Sequence, residues 1–320
     1  MTMTRRSGVS GSALGLVPSW LAALVACVAA AAVPDAAAQD IEPRAYSNAP
    51  IGYNFLVTGF AYTRGGLAFD SSLPVTNPDL NTASVVAAYA RVIELGGQSA
   101  KLEAVVPYTS LSGTGDYRGQ QVSREINGLA NPSFRLSVNL FGAPALAAQE
   151  FGAWKQDLIV GASLRVAPPW GQYDTARLVN IGTHRWSFKP EVGVSKTLGR
   201  WTFDGAVAAT FFTRNDDLWN GNTVAQDPLY AAQGHAIYGF ANGIWLSVDA
   251  TWYAGGRTTL NGVLNEDLQQ NWRLGATLAF PIDRDFSIKL YASSGVSDRT
   301  GNSFDLLGLA LQYRWLSGAR

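Results

Sequence analysis

The chain has 320 residues with a formal net charge of zero, and only 15% of them are charged while 11% are aromatic. Soluble domains usually carry about 25% charged residues, and nucleic-acid-binding domains concentrate basic residues in a patch or stripe. The composition therefore excludes a nucleic-acid partner and disfavours an ordinary soluble domain. The length suits one large barrel domain as well as two smaller domains.

The start of the chain is predicted to be a secretory signal peptide over residues 1–38. The pair Arg5-Arg6 gives a positive beginning, residues 13–33 form an alanine-rich apolar run, and three alanines at 36–38 form a small-residue cleavage site. We expect cleavage after this site, which leaves Gln39 at the mature N-terminus. An uncleaved membrane anchor is the alternative.

The only cysteine of the chain, Cys27, lies inside this predicted signal peptide. The residues before it resemble a lipoprotein processing site, so acylation at Cys27 is a second alternative. Cleavage after residue 38 instead leaves a mature chain without cysteine. Disulfides, thiolate catalysis and cysteine-based metal sites are then excluded.

The mature part alternates between polar and apolar residues over long stretches. Residues 133–140, for example, place Phe134 and Leu136 on one face and Arg135 and Ser137 on the other. Such alternation predicts strands with one apolar and one polar face. No apolar run reaches the ~18–20 residues of a transmembrane helix. Twelve strands are predicted, near residues 53–64, 83–94, 99–110, 132–142, 156–167, 185–196, 200–213, 229–241, 244–254, 270–281, 285–296 and 304–315.

The connections between these strands alternate in length. The short turns are 96–98, 198–199, 242–243 and 282–284, the long polar loops are 65–82, 111–131, 168–184, 214–228, 255–269 and 297–303, and the turn at 143–155 is of intermediate length. Outer-membrane barrels have short periplasmic turns and long external loops. The predicted fold is therefore all-β: a transmembrane, antiparallel, up-and-down β-barrel of about 12 strands. We expect the barrel over residues 53–315, a periplasmic N-terminal segment over 39–52, and a C-terminal extension over 316–320.

Aromatic residues near strand ends fit the interfacial girdles of such a barrel. These residues are Tyr53, Tyr108, Trp186, Trp201, Trp252, Trp272 and Phe286. The last strand alternates through Tyr313 to Trp315, as barrel-assembly signals do, so we expect these two residues to serve assembly.

Charged residues occur on the polar face of the predicted strands. An arginine or lysine facing lipid would cost about 2–4 kcal/mol at the midplane, so these side chains are expected to point inward. The predicted pore-lining residues are Glu103, Arg135, Arg165, Lys189, Glu191, Asp204, Asp249, Arg273 and Lys289, and Arg91, Lys101 and Arg314 are expected to share their face. Arg135 and Arg165, with Glu103 and Asp204, are expected to form a selectivity zone. A lumen sealed by ion pairs is the alternative.

No catalytic residue is predicted, because the chain contains no nucleophile elbow, zinc-protease motif, P-loop or dinucleotide-binding fingerprint. His184 and His235 are the only histidines, too few for a zinc site without cysteine. His184 is expected at the surface and His235 in the lumen. The acid pairs at 216–217 and 266–267 are expected to be solvated loop charge. We therefore expect neither a metal nor a cofactor.

The chain resembles a family of outer-membrane proteins linked to the MetA pathway of phenol degradation and often called transporters. The resemblance lies in residues 47–52 and above all in one block from the third long loop into the next strand. The block comprises Gly171, Gln172, Tyr173, Asp174, Asn180, Gly182, Arg185, Trp186, Phe188, Lys189 and Pro190. Trp170 stands where this family is expected to carry a smaller residue. The resemblance implies a barrel and the passage of small aromatic or hydrophobic compounds.

The sequence thus favours an outer-membrane channel for passive passage of small molecules. A structural or ligand-binding barrel, or a barrel enzyme, with a sealed lumen is the alternative. The expected partners are outer-membrane lipid and lipopolysaccharide, the barrel-assembly machinery and a small-molecule solute.

Overall fold

The computed structural model describes residues 42–66, 72–73, 75–299 and 303–317. The strands are β1 (Tyr53–Gly65), β2 (Thr76–Leu95), β3 (Gln98–Tyr117), β4 (Gln120–Leu129), β5 (Ser133–Phe141), β6 (Leu158–Ala167), β7 (Ser187–Leu198), β8 (Trp201–Phe212), β9 (Asn215–Leu218), β10 (Asn222–Gln226), β11 (Leu229–Gly239), β12 (Trp245–Gly255), β13 (Thr258–Leu260), β14 (Val263–Leu264), β15 (Gln269–Pro281), β16 (Phe286–Ser297) and β17 (Phe304–Leu316). A short helix, α1, covers Ala148–Phe151, and a 3-10 turn covers Ala241–Gly243.

The main sheet closes into a barrel because β1 pairs with both β2 and β17. Strands β4 and β5 together occupy one strand position of the barrel, because β3 pairs with β4 over Tyr108–Tyr117 and with β5 over Ala100–Val105. The result is the predicted antiparallel barrel of 12 strands. Strands β9, β10, β13 and β14 form a separate small sheet in the long loops.

The strand register separates an apolar outer face from a polar inner face. Directly paired residues lie on the same face of a sheet, so the pairings Glu103↔Arg135, Arg135↔Arg165 and Arg165↔Lys189 put these four charges on one side. Large exposed apolar side chains fill the other side, among them Leu56, Val85, Leu102, Val106, Leu136, Leu164, Val192, Val207, Val248, Leu274, Leu307 and Leu311. This outer face matches the hydrocarbon core of a membrane.

The hairpin of β2 and β3 is longer than predicted. Both strands have 20 residues, so residues 76–82 of the predicted loop 65–82 and, together with β4, most of the predicted loop 111–131 are strand. The alternation disappears there because this part lies beyond the apolar band, as the polar stretch at residues 112–117 shows. Helix α1 accounts for the longer turn at 143–155. In the described part of the chain, no helix is long and apolar enough to cross a membrane.

Three predictions about strand ends need correction. Arg91 is exposed and pairs with Asn54 and Leu102, on the outward face, because it lies at the very end of the barrel where charge reaches water. Tyr53 pairs with Leu316 on the inward face, so it does not belong to the outer girdle. The predicted extension at 316–320 begins too early, since Leu316 ends β17.

Ser317 also belongs to the closing seam between β1 and β17. Its backbone N–H donates to the Gly52 carbonyl oxygen over 2.9 Å, and its Oγ accepts a bond of 2.6 Å from the Asn54 amide. The predicted extension that remains, residues 318–320, lies outside the described residues, as does the predicted signal peptide.

Trp315 packs on the outer side of this seam, with its ring 5.4 Å from Tyr313 and 6.2 Å from Tyr89. We predict that Trp315→Asp lowers outer-membrane levels several-fold, because it removes this aromatic contact and places a carboxylate at the membrane interface. Truncation after residue 315 should act similarly through loss of the Leu316 and Ser317 contacts. The control is Trp170→Asp in a long loop, and heat-modifiable mobility of the membrane fraction provides the measurement. Equal levels of the two tryptophan variants would contradict the role of Trp315.

Candidate functional site in the barrel lumen

The described N-terminal segment, residues 42–52, enters the barrel. Several described residues of the predicted periplasmic segment over 39–52 therefore contact the inner wall of the barrel. Glu42 forms ion pairs with Arg135 and Arg165, and Tyr46 donates a hydrogen bond of 2.9 Å to Glu191. Further along, Asn48 donates to the Pro144 carbonyl oxygen. The segment thus runs from the short-turn end into the lumen.

Six side chains form a charge cluster at the level of Glu42: Glu42, Glu103, Arg135, Arg165, Lys189 and Glu191. Arg135 is the centre of this cluster. Besides Glu42 it contacts Glu191 over 2.9 Å and Glu103 over 3.9 Å, and Lys189 lies 3.9 Å from Glu191. Arg135, Lys189 and Glu191 are buried. The N-terminal segment therefore supplies one of the carboxylates that neutralise the basic wall.

The charges around the segment determine the protonation states of Glu42 and Tyr46. Burial alone would raise the pKa of Glu42, but Arg135, Arg165 and Lys189 outweigh it and hold this pKa well below its usual range. Burial and the nearby Glu191 raise the pKa of Tyr46 to about 12. At neutral pH Glu42 is therefore a carboxylate acceptor and Tyr46 a phenol donor.

Two wall glycines make room for the Tyr46 ring. A Cβ atom placed on Gly161 would lie 2.2 Å from Tyr46 Cδ1, and one on Gly193 would lie 2.3 Å from Tyr46 Cε2. These positions face each other across β6 and β7. Any larger residue at either position would have to displace the ring.

The segment has two more attachments near the charge cluster. The backbone N–H of Arg44 donates to Asp204 over 2.8 Å, and the Lys101 ammonium donates to the Ala45 carbonyl oxygen. Asp204 thus faces inward but bonds to Arg44 rather than joining the charge cluster. Of the predicted selectivity zone, the structure brings together Arg135, Arg165 and Glu103, and it places Asp204 apart.

The remaining predicted pore residues lie on the opposite wall. Asp249 accepts hydrogen bonds from His235 (2.7 Å) and Thr277 (3.1 Å). Arg273 donates to the Phe304 carbonyl oxygen and lies over the ring of the same residue.

Lys289 occupies an inward register position opposite Ala310 and is exposed, with its ammonium 5.6 Å from the centre of the Tyr291 ring. All nine predicted residues therefore occupy inward register positions.

His235 and Asp249 are arranged like a base with its orienting acid, yet the described residues do not complete a catalytic set. Both side chains are buried, and His235 Nε2 has no hydrogen-bond partner among these residues. A nucleophilic mechanism would need a hydroxyl or thiol bonded to that nitrogen. Nor do three or more His, Cys, Asp or Glu side chains of the described residues converge as metal ligands.

The loop between β6 and β7, residues 168–186, carries most of the family block and folds over the inner side of the β3–β4 hairpin. The Gln172 N–H donates to the Leu129 carbonyl oxygen (2.7 Å), and the Gly182 N–H donates to the Gln172 carbonyl oxygen (2.8 Å). Arg124 donates to the Val179 carbonyl oxygen. Backbone bonds therefore hold this loop against the wall.

Side chains of the family block complete the loop. Asn180 accepts from the Asp174 N–H and donates to the Asp174 carbonyl oxygen. The Tyr173 ring stacks on His184 with 4.5 Å between ring centres, and Arg185 donates to Gln226. The Gly171 N–H donates to the Asn131 side-chain oxygen. Beyond the loop, Trp186 stacks on Phe188 at the exposed outer side, Lys189 joins the charge cluster, and Pro190 lies opposite Leu164 in the wall.

An apolar cluster lies beneath this loop at the long-loop end of the barrel. Val179 and Ile181 from the loop are buried against inward residues of the wall, against the small sheet and against Leu73 between β1 and β2. The other partners are Leu80, Leu111, Ile126, Leu218 and Val224. Polypeptide therefore occupies the lumen at two levels, a polar one near the middle and an apolar one at the long-loop end.

Comparison with known proteins agrees with this architecture. The family model described as "Putative MetA-pathway of phenol degradation" matches residues 64–314. A search of curated proteins finds no match.

Among solved structures, the barrel is similar to the COG4313 outer membrane channel from Pseudomonas putida F1. The TM-score is 0.70 at 17% sequence identity, over 86% of this chain and 100% of that chain. The β domain of the Bordetella autotransporter BrkA matches at a TM-score of 0.49 and 12% identity, over 83% of this chain and 99% of that one. The first similarity shows a shared fold.

Proposed function

Because the chain belongs to the MetA-pathway phenol degradation family, we propose that it forms an outer-membrane channel in a Gram-negative envelope. The solutes are small molecules that pass without energy input, aromatic or hydrophobic compounds among them. Outer-membrane lipid and lipopolysaccharide surround the apolar outer face. The closing strand, with Trp315, engages the barrel-assembly machinery.

The proposal rests on one observation: the N-terminal segment fills part of the lumen. Eight-stranded barrels fill their interior with wall side chains, whereas barrels of sixteen strands leave an aqueous channel. Here the space beside the charge cluster is taken by Glu42 and Tyr46, which belong to a terminal segment rather than to a strand. Small inward residues at Gly161 and Gly193 leave the room that Tyr46 fills.

A terminal segment that is held by polar contacts and by the packing of Tyr46 against Ala143 and Ile159 can leave without unfolding the barrel. Its departure would uncover Arg135, Arg165 and Lys189 beside Glu103 and Glu191, a hydrated constriction that carries both signs of charge. Such a constriction admits small polar and aromatic solutes and selects among ions. We therefore assign the plugged state to the resting channel and the state without the segment in the lumen to the conducting one.

A ligand-binding barrel with a permanently sealed lumen is the second candidate, favoured by the apolar cluster that lies beneath the β6–β7 loop. The two candidates differ in what happens when the N-terminal segment is removed. In a channel, removal opens a path through the charge cluster. In a sealed barrel, the apolar cluster still blocks passage.

Liposome swelling separates them. Mature protein and a variant lacking residues 39–46 are reconstituted and diluted into solutes of increasing size, from amino acids to oligosaccharides. We expect the deletion variant to admit the smallest solutes several-fold faster than wild type and to exclude the largest. Equal and negligible swelling for both proteins, with intact heat-stable β-sheet signals, would overturn the channel proposal.

A further inference from the structure

A separate cavity of about 340 Å³ opens at the short-turn end of the barrel. Its walls come from the turn between β7 and β8, the end of β11 with the turn that follows it, and Arg44 of the N-terminal segment. This volume falls in the range of small-molecule pockets. The cavity is distinct from the charge cluster, because none of the six cluster residues lines it.

The charge of this cavity is positive. Arg44 and Arg200 both line it, together with the polar side chains of Gln156, Thr197 and Thr202. No acidic side chain of the described residues lines it. Asp204 does not line the cavity and accepts a hydrogen bond from the backbone N–H of Arg44.

The Arg44 guanidinium feels the negative charge of nearby Asp204, and its Nε has no hydrogen-bond partner within the described residues. It lies over the ring of Trp245, 5.3 Å from the ring centre. A stacked guanidinium keeps its N–H edge available for a planar acceptor. Ile237 and Phe240 add apolar surface to the same cavity.

We propose that this cavity binds a small carboxylate with an apolar body. The carboxylate accepts hydrogen bonds from the guanidinium groups of Arg44 and Arg200, and the body of the ligand rests on Ile237 and Phe240. Charge-assisted hydrogen bonds to planar carboxylates are the pairing that arginine favours. The ligand joins a residue of the N-terminal segment to a residue of the wall. It therefore stabilises the plugged state, since a ligand favours the state that it binds more tightly.

Calorimetric titration of the mature protein in detergent with benzoate, and with benzamide as its neutral counterpart, tests this binding. We expect saturable, one-to-one binding of benzoate that is at least tenfold tighter than that of benzamide. Arg200→Gln and Arg44→Gln should each weaken benzoate binding about tenfold, because each removes charge-assisted hydrogen bonds. The matched control is Arg284→Gln at another short turn, which lies outside the cavity and should change binding less than twofold.

A second readout addresses the coupling to the N-terminal segment. Saturating benzoate should slow tryptic cleavage after Arg44 in wild type and have no such effect in Arg200→Gln. The proposal is overturned if benzamide binds as well as benzoate, if Arg200→Gln binds like wild type, or if wild type shows no saturable binding. Because binding is measured in detergent, its failure is distinct from a failure of the protein to conduct.

Discussion

Neutralising both arginines of the charge cluster should release the N-terminal segment and reverse the charge of the lumen. In Arg135→Gln/Arg165→Gln, Glu42 loses both of its ion-pair partners and instead faces Glu103 and Glu191. The Glu42 side chain is 30% exposed, so the cost lies between the about 3–5 kcal/mol of breaking a fully buried ion pair and the about 0–1 kcal/mol of an exposed one. Since 1.4 kcal/mol is a factor of ten, we expect the equilibrium to shift towards the open state by roughly tenfold or more.

Planar-bilayer recordings of this double variant should therefore show frequent openings and a preference for cations over anions. The control is Lys196→Gln, which removes an exposed ion pair with Asp157. Exposed pairs contribute about 0–1 kcal/mol, so this variant should resemble wild type. A double variant that stays closed would mean that these arginines act only as structural braces of the barrel.

The glycine double variant Gly161→Ala/Gly193→Ala should expel the same segment by shape rather than by charge. Each new methyl group would meet the Tyr46 ring at 2.2–2.3 Å, far inside ordinary contact distance. The ring must leave, and its hydrogen bond to Glu191 is then lost. Arg44, two residues earlier, should become a site for trypsin, and we expect cleavage there to accelerate at least tenfold.

The measurement is mass spectrometry of the released N-terminal peptide over time. Gly205→Ala is the matched control, because its new Cβ would have no neighbour nearer than 3.9 Å. It should be cleaved at the wild-type rate. If the double variant protects Arg44 as well as this control does, Tyr46 does not anchor the segment.

The twelve strands were predictable because a barrel wall imposes a simple rule on its sequence. Lipid outside and water inside require apolar and polar residues to alternate along each strand. The two faces of residues 133–140 can therefore be assigned without knowing which strands lie beside them. The same rule placed Arg135, Arg165 and Lys189 inward. The rule fails where a strand no longer faces lipid. This is the case for the outer part of β2 and β3, which lies beyond lipid, and for Arg91, which lies at the barrel end.

The contents of the lumen were not predictable from the sequence. Residues 42–52 have no alternation, and nothing local distinguishes Glu42 or Tyr46 from solvated residues of a linker. Their role depends on contacts with residues 93 to 145 positions away, such as Arg135 and Glu191. One local signal was available: Gly161 and Gly193 are inward positions without side chains, in strands whose other inward residues, apart from Ala167, are polar or large.

Single-channel recording of a barrel lacking residues 39–46 tests the central claim most directly, that the N-terminal segment closes a lumen that otherwise conducts. We predict stepwise conductance in this variant, rare openings in wild type, and block of the variant by a synthetic peptide of residues 39–50 added at the short-turn side. A peptide with Glu42→Lys and Tyr46→Ala should not block. A deletion variant that folds but never conducts, or conducts as wild type does, would contradict the claim.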